Sequence, residues 1–218
     1  MYSDNWSGTF LKEKLSNFDK IQKIESKASN LFEVQRKKGE SFFTFTMSLE
    51  LIELNVIKEI LEHNSNINFI VNIKKEYLIS GSAIGYLNSK RVSFGGMGDI
   101  MRFSNQRDNS LYVDKEYSFV QRGLSQHTKV KSLELLDNKR IKIERYSMKE
   151  VISVMNNDYD LGSESVRSYK NRFKDFKVII CTNPNARVTS DAYSIANSLK
   201  IDICTWGDFL GKLNTFWN

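Results

Sequence analysis

The chain carries a single proline and only two cysteines among 218 residues. So little proline leaves no proline-rich linker, and two cysteines cannot form the dense disulfide framework of a small secreted domain. Its longest apolar runs, such as Val178 to Cys181, fall far short of the ~20 residues that a membrane-spanning helix requires. The opening Met1-Tyr2-Ser3-Asp4-Asn5-Trp6 lacks the charged start, apolar stretch and small-residue cleavage site of a secretory signal, so the mature chain is expected to begin near Met1. The two histidines, His63 and His127, have no partner at metal-ligand spacing, which argues against a zinc site. A soluble protein of the cytoplasm is expected, with Cys181 and Cys204 as buried free thiols inside strands.

What is abundant is positive charge. Lys and Arg number 32 against 26 Asp and Glu, a net charge of +6. The basic residues cluster at Arg36-Lys37-Lys38, from Lys139 to Lys149, and at Arg167, Lys170, Arg172, Lys174 and Lys177. Such clusters suit a polyanion partner and suit solvated helix faces equally.

Apolar residues at Leu11, Leu15, Phe18, Ile21, Ile24, Ala28 and Leu31 recur every three or four positions, the period of one helical face. This predicts a long amphipathic helix over Leu11–Leu31, packed on the domain or paired with another copy. Ser48 reads as the N-cap of a second helix with Leu49, Ile52, Val56, Ile57, Ile60 and Leu61 on its apolar face. The middle turns to short β-rich runs at 69–73, 91–94, 130–136 and 140–146, with Leu136-Asp137-Asn138-Lys139 as a hairpin turn. Helices are expected over 148–155 and 163–173. Strand 177–182, helix 189–199, strand 201–205 and helix 206–213 then form a crossover unit with parallel pairing. No internal repeat is apparent. The simplest partition is an N-terminal helical arm, residues 1–40, followed by one α/β domain, residues 41–218.

Several strings could carry chemistry. Phe94-Gly95-Gly96-Met97-Gly98-Asp99 runs from a strand into a glycine-rich bend presenting Asp99, either as a metal ligand or as a cap of the next helix. Its spacing is not that of a dinucleotide-binding fingerprint. In Arg140-Ile141-Lys142-Ile143-Glu144-Arg145-Tyr146, strand alternation sets Lys142, Glu144 and Tyr146 on one face. A carboxylate holding Mg²⁺ beside an ammonium steadying phosphate charge suits hydrolysis; a surface ion pair is the plainer alternative. Gln121 to Lys129 gathers hydrogen-bonding groups, with His127 as proton carrier or donor and Lys129 as a phosphate contact. Asn183-Pro184-Asn185-Ala186-Arg187 follows a strand where ligands collect in open α/β sheets, and Arg187 is a fair phosphate contact. Trp206, Phe209 and Phe216 read as core and end packing.

On these strings, the stretch from Phe94 to Leu213 resembles the catalytic domain of Mrr-like restriction endonucleases, within the PD-(D/E)xK nuclease fold. Gly98-Asp99 matches the glycine-flanked aspartate, and Arg145-Tyr146 the pair that follows the catalytic lysine. Val178 to Thr182, Ala192, Ala196, Ile201-Asp202-Ile203 and Gly207-Asp208-Phe209-Leu210 match the closing section. The resemblance implies a three-layer restriction-endonuclease-like mixed sheet and a nucleic-acid-directed protein, a Mg²⁺-dependent DNA nuclease in microbial defence or DNA maintenance. It implies Asp99 and Glu144 as metal ligands, Lys142 as charge stabiliser, and Arg145, Lys129, His127 and Arg187 as nucleic-acid contacts. Aligned on Arg145-Tyr146, however, Lys142 stands where the family has its acid or glutamine, and Glu144 where it has its lysine. The alternative is therefore an inactive module that recruits a partner or dimerises through its N-terminal helix.

Overall fold

The computed structural model describes residues 5–217. They divide into two compact units, meeting in sequence between Asp114 and Lys115. The first contains α1 (Asn5–Ser16), β1 (Ile21–Ser26), β2 (Leu31–Arg36), β3 (Phe42–Met47), β4 (Leu51–Ile52), α2 (Leu54–His63), β5 (Phe69–Asn72), β6 (Leu78–Ile79), α3 (Gly81–Ser89), β7 (Ser93–Gly95) and α4 (Met97–Ser104). The second contains α5 (Lys115–Ser125), β8 (Val130–Leu135), β9 (Arg140–Arg145), β10 (Met148–Asn156), β11 (Asp160–Leu161), α6 (Ser163–Arg172), β12 (Val178–Cys181), β13 (Arg187–Val188), α7 (Ser190–Ser198), β14 (Asp202–Thr205) and α8 (Trp206–Lys212).

Each unit has its own five-stranded mixed sheet, in the orders β1-β2-β3-β5-β7 and β8-β9-β10-β12-β14. In both, three strands form an antiparallel meander and two more join in parallel through helical crossovers. The units also keep one numbering. Val130 stands 109 positions after Ile21 (130 − 21) and Arg140 109 after Leu31 (140 − 31). The same shift carries α2 onto α6, β5 onto β12, α3 onto α7, and β3 onto the last six residues of β10. No insertion or deletion interrupts it through the start of α8, so the chain is a tandem duplication.

The detail repeats as well. Ser80 and Thr189 cap α3 and α7, accepting from the N–H of Ala83 and Ala192. Arg91 and Lys200, just beyond those helices, both adopt φ of 55°. The next residues donate back, Val92 to Leu87 and Ile201 to Ala196, each at 2.9 Å.

Several expectations are corrected. The helix over Leu11–Leu31 ends at Ser16, and β1 and β2 follow as a hairpin, so the arm of residues 1–40 is part of the first unit. Leu11, Leu15 and Ile21 are buried together with Phe32, Val34 and Phe42. A spacing of three or four is common to a helix face and to apolar residues shared out among a helix and two strands, and here it is the latter. Most of the apolar stripe serves the unit's own core. The second helix begins at Leu54, after β4, with Glu53 rather than Ser48 at its N-cap. Residues 148–155 form the strand β10 instead of a helix. Its sides are both covered: Val151 and Met155 face one helix layer, and Val154 on the opposite side is equally buried, which hides the two-residue period.

In the first unit one buried cluster joins α1 and α4 to one sheet face, and another joins α2 and α3 to the other face, giving three layers. In the second, Val120 and Leu124 of α5 and Phe209 of α8 pack on Ile141, Ile143, Val178 and Ile180. The hairpin at 136–139 is present. Asp137 is buried, accepting from the N–H groups of Lys139 and Arg140 and from the Arg140 Nε at 2.7 Å. Cys181 and Cys204 are buried and free. Among the described residues no helix is long and apolar enough to cross a membrane.

Candidate functional site

Asp99 sits at the third position of α4, in the first unit. Its Oδ2 accepts from the Gly96 N–H at 2.9 Å, while Oδ1 accepts from the Arg102 guanidinium at 2.9 Å and the Tyr112 hydroxyl at 2.6 Å. A Cβ on Gly95 would lie 2.5 Å from the Asp99 Cβ, so glycine is what permits this close approach. Asp99 thus caps α4 and latches the segment beyond it, since the Tyr112 N–H also donates to Ser93 Oγ at 2.9 Å. Burial, and then the hydrogen bond to Asp99, push the Tyr112 hydroxyl well above its ordinary pKa.

Lys142 and Glu144 stand on β9 in the second unit and share a face, as alternation requires. Each is matched to a neighbour on β8. Lys142 lies opposite Glu134 and pairs with it at 2.5 Å, which raises the lysine pKa. Glu144 lies opposite Ser132 and 3.5 Å from Lys131, and the Ser132 hydroxyl, followed by Lys131, lowers its pKa. Both belong to a half-buried charge ladder at the sheet surface, of the kind worth ~0–1 kcal/mol per pair.

Mg²⁺ takes near-octahedral oxygen ligands, and neither carboxylate is arranged for it within its own unit. Both Asp99 oxygens are engaged, one of them by a guanidinium, and Glu144 has an ammonium beside it.

Arg145 is not a surface contact. It is 5% exposed and donates to the carbonyls of Lys149, Leu213 and Thr215, tying β9 to the chain end. His127 closes a turn, its Nδ1 accepting from the Lys129 N–H at 3.2 Å, and Lys129 is half-buried. Arg187 is exposed on β13, its guanidinium 5.1 Å from the centre of the Tyr159 ring.

The loop from Asn183 to Ala186 does border a cavity. A cleft of about 580 Å³ opens at the carboxyl ends of β10, β12 and β14, where Asn157 and Thr182 follow their strands and Thr205 ends β14. Lys115, Glu116 and Phe119 of α5 form one wall and Trp206 another. Glu116 accepts a hydrogen bond from the Thr182 hydroxyl at 2.7 Å, which gives the floor a polar centre. Phe119 and Trp206 have ring centres 5.0 Å apart, and Phe119 is 48% exposed. Gly123 lies behind the indole: a Cβ there would come within 2.4 Å of Trp206 Cζ2, so α5 is notched to seat the ring. Cys181 borders the cleft, and burial pushes its thiol up to about 11.

Sequence reasoning found the loop after Thr182 but read Trp206 as packing, and it missed Lys115, Glu116, Phe119 and Asn157. Their signal is structural: the repeat aligns α5 with α1 and marks the start of the second unit. The chain matches no family model, no curated protein and no solved structure.

Proposed function

We propose that this is a nucleic-acid-binding protein of restriction-endonuclease type, duplicated in tandem, whose second unit makes the phosphate contacts and which binds without cutting through Asp99 and Glu144. One observation carries the reading. Divided at the unit boundary, residues 1–114 hold 15 Lys and Arg against 14 Asp and Glu, whereas residues 115–218 hold 17 against 12. The net charge is +1 in one unit and +5 in the other, so units of one topology differ in the property that governs polyanion binding. The mixed sheet of three antiparallel strands followed by parallel crossovers supports the restriction-endonuclease reading. A cytoplasmic role in microbial defence or DNA maintenance accords with it.

The test is fluorescence anisotropy with labelled single- and double-stranded DNA between 50 and 200 mM salt. Affinity should fall linearly with salt on logarithmic axes, with a slope of about −0.7 to −0.9 per phosphate contact. Absence of binding, or binding indifferent to salt, overturns the proposal.

A further inference from the structure

We infer that the cleft of the second unit receives an unpaired nucleobase of a single-stranded nucleic acid, stacked on Phe119 beside Trp206. The inference rests on the nucleic-acid-binding reading and adds the part of the ligand that the cleft recognises. The volume of about 580 Å³ is within the range of small-molecule sites, which is roughly 300–1,000 Å³, and can accept a base with part of its sugar. The two ring planes are tilted by 49°, so a base stacked on the face of Phe119 meets Trp206 as a side wall, and Phe119 is about half open to solvent. A large exposed aromatic at a cavity mouth is costly to keep wet and is what base stacking covers.

The polar groups fix the orientation. Glu116 and Thr182 at the floor, and the amide of Asn157 at the rim, suit the donor and acceptor edge of a base. The Glu116 carboxylate repels a phosphate from the interior. The cation that borders the cleft is Lys115, exposed at the start of α5. A strand laid across the mouth would therefore keep its phosphates outside and turn a base inward. The seat for the indole is built in advance by Gly123, so little ordering is needed on binding.

The experiment compares a single-stranded oligonucleotide with one of equal length carrying abasic residues, which keep every phosphate and remove the bases. The native protein should bind the complete strand roughly tenfold more tightly, as stacking contributes ~1–3 kcal/mol per base. Phe119→Ala should erase that preference while leaving abasic-strand affinity unchanged; being exposed, Phe119 can be truncated without unfolding the unit. Binding of neither strand would sink the nucleic-acid reading itself. Equal native affinity for both strands, or a preference that survives Phe119→Ala, would keep that reading and overturn the cleft as the base site.

Discussion

Arg36 and Arg145, 109 positions apart (145 − 36), hold the same place in the two units: each ends the middle strand of its meander, is buried, and donates to the carbonyl four residues on. Arg36 reaches the Phe103 carbonyl at the end of α4, and Arg145 the Leu213 carbonyl at the end of α8. The guanidinium's several donors are what allow one side chain to satisfy carbonyls at a strand end and a helix end together. Arg36 also lies over the rings of Phe42 and Phe103, 4.5 and 5.0 Å from their centres.

Replacing either arginine with methionine should therefore destabilise its own unit by about 2–5 kcal/mol, because buried carbonyls lose charge-assisted donors. Chemical denaturation of each variant checks the size. For Arg145→Met, the salt dependence of DNA binding under conditions where the variant stays folded is the sharper readout. It should keep the native slope, since Arg145 is buried against carbonyls, and a smaller slope would restore Arg145 as a phosphate contact.

The closing section of the second unit was the most legible part of the sequence. The strand, capped helix, strand and helix from 177 to 213 were read correctly because each element has its own cap and a clear period. The duplication was not legible, because few residues are kept across the shift of 109, among them Arg36 and Arg145, Leu15 and Leu124, Ile70 and Ile179, Ala83 and Ala192, Gly98 and Gly207, and Asp99 and Asp208. Core positions exchange one apolar residue for another, as Ile57 with Val166 and Val92 with Ile201, which preserves packing and erases identity. The resemblance drawn from Phe94 to Leu213 consequently ran across the unit boundary. It joined the aspartate of one unit to the charge ladder of the other.

Gly123→Ala separates backbone propensity from packing. In an unobstructed helix this change gains about 1 kcal/mol, and Gly211→Ala in α8, with nothing within 4 Å of the new methyl, should show that gain. At Gly123 the methyl meets the Trp206 ring, so the variant should be less stable than the native protein and shift its tryptophan emission. Thermal melts and fluorescence spectra of the two variants decide; equal stabilisation by both would mean that the indole is not seated against α5.

The Tyr112 and Asp99 contact predicts a loss of stability in alkali. A tyrosine whose folded pKa lies above its unfolded value near 10 contributes stability that is complete below that value and declines as pH rises beyond it toward the folded pKa. The native protein should therefore lose stability more steeply above about pH 10 than Tyr112→Phe, which lacks the ionisable hydroxyl. Denaturant midpoints measured from pH 8 to 11 test this, and parallel curves would refute a special role for the contact.

The thiols give a test by reactivity. Burial raises the pKa of both Cys181 and Cys204, so thiolate is scarce near neutrality and the sulfurs are inaccessible. Neither should react with a thiol-specific chromogenic reagent at pH 8 within minutes, and both should react at once in denaturant. Rapid reaction of one thiol in the folded protein would show that the cleft beside Cys181 opens more widely than its geometry indicates.

Asp99 and Glu144 should behave differently from each other, and neither as a catalytic carboxylate. Asp99→Ala removes the acceptor of the Gly96 N–H, of Arg102 and of Tyr112, so a loss of about 1–3 kcal/mol is expected. Glu144→Ala removes one partly exposed rung opposite Ser132 and should change stability by less than about 1 kcal/mol. With Mg²⁺ or Mn²⁺ present, plasmid incubated with native protein, Asp99→Ala or Glu144→Ala should give the same products as plasmid alone. Metal-dependent cutting by the native protein that both variants lose would overturn the binding-only reading, because two carboxylates engaged in separate units would then have to act on one phosphodiester.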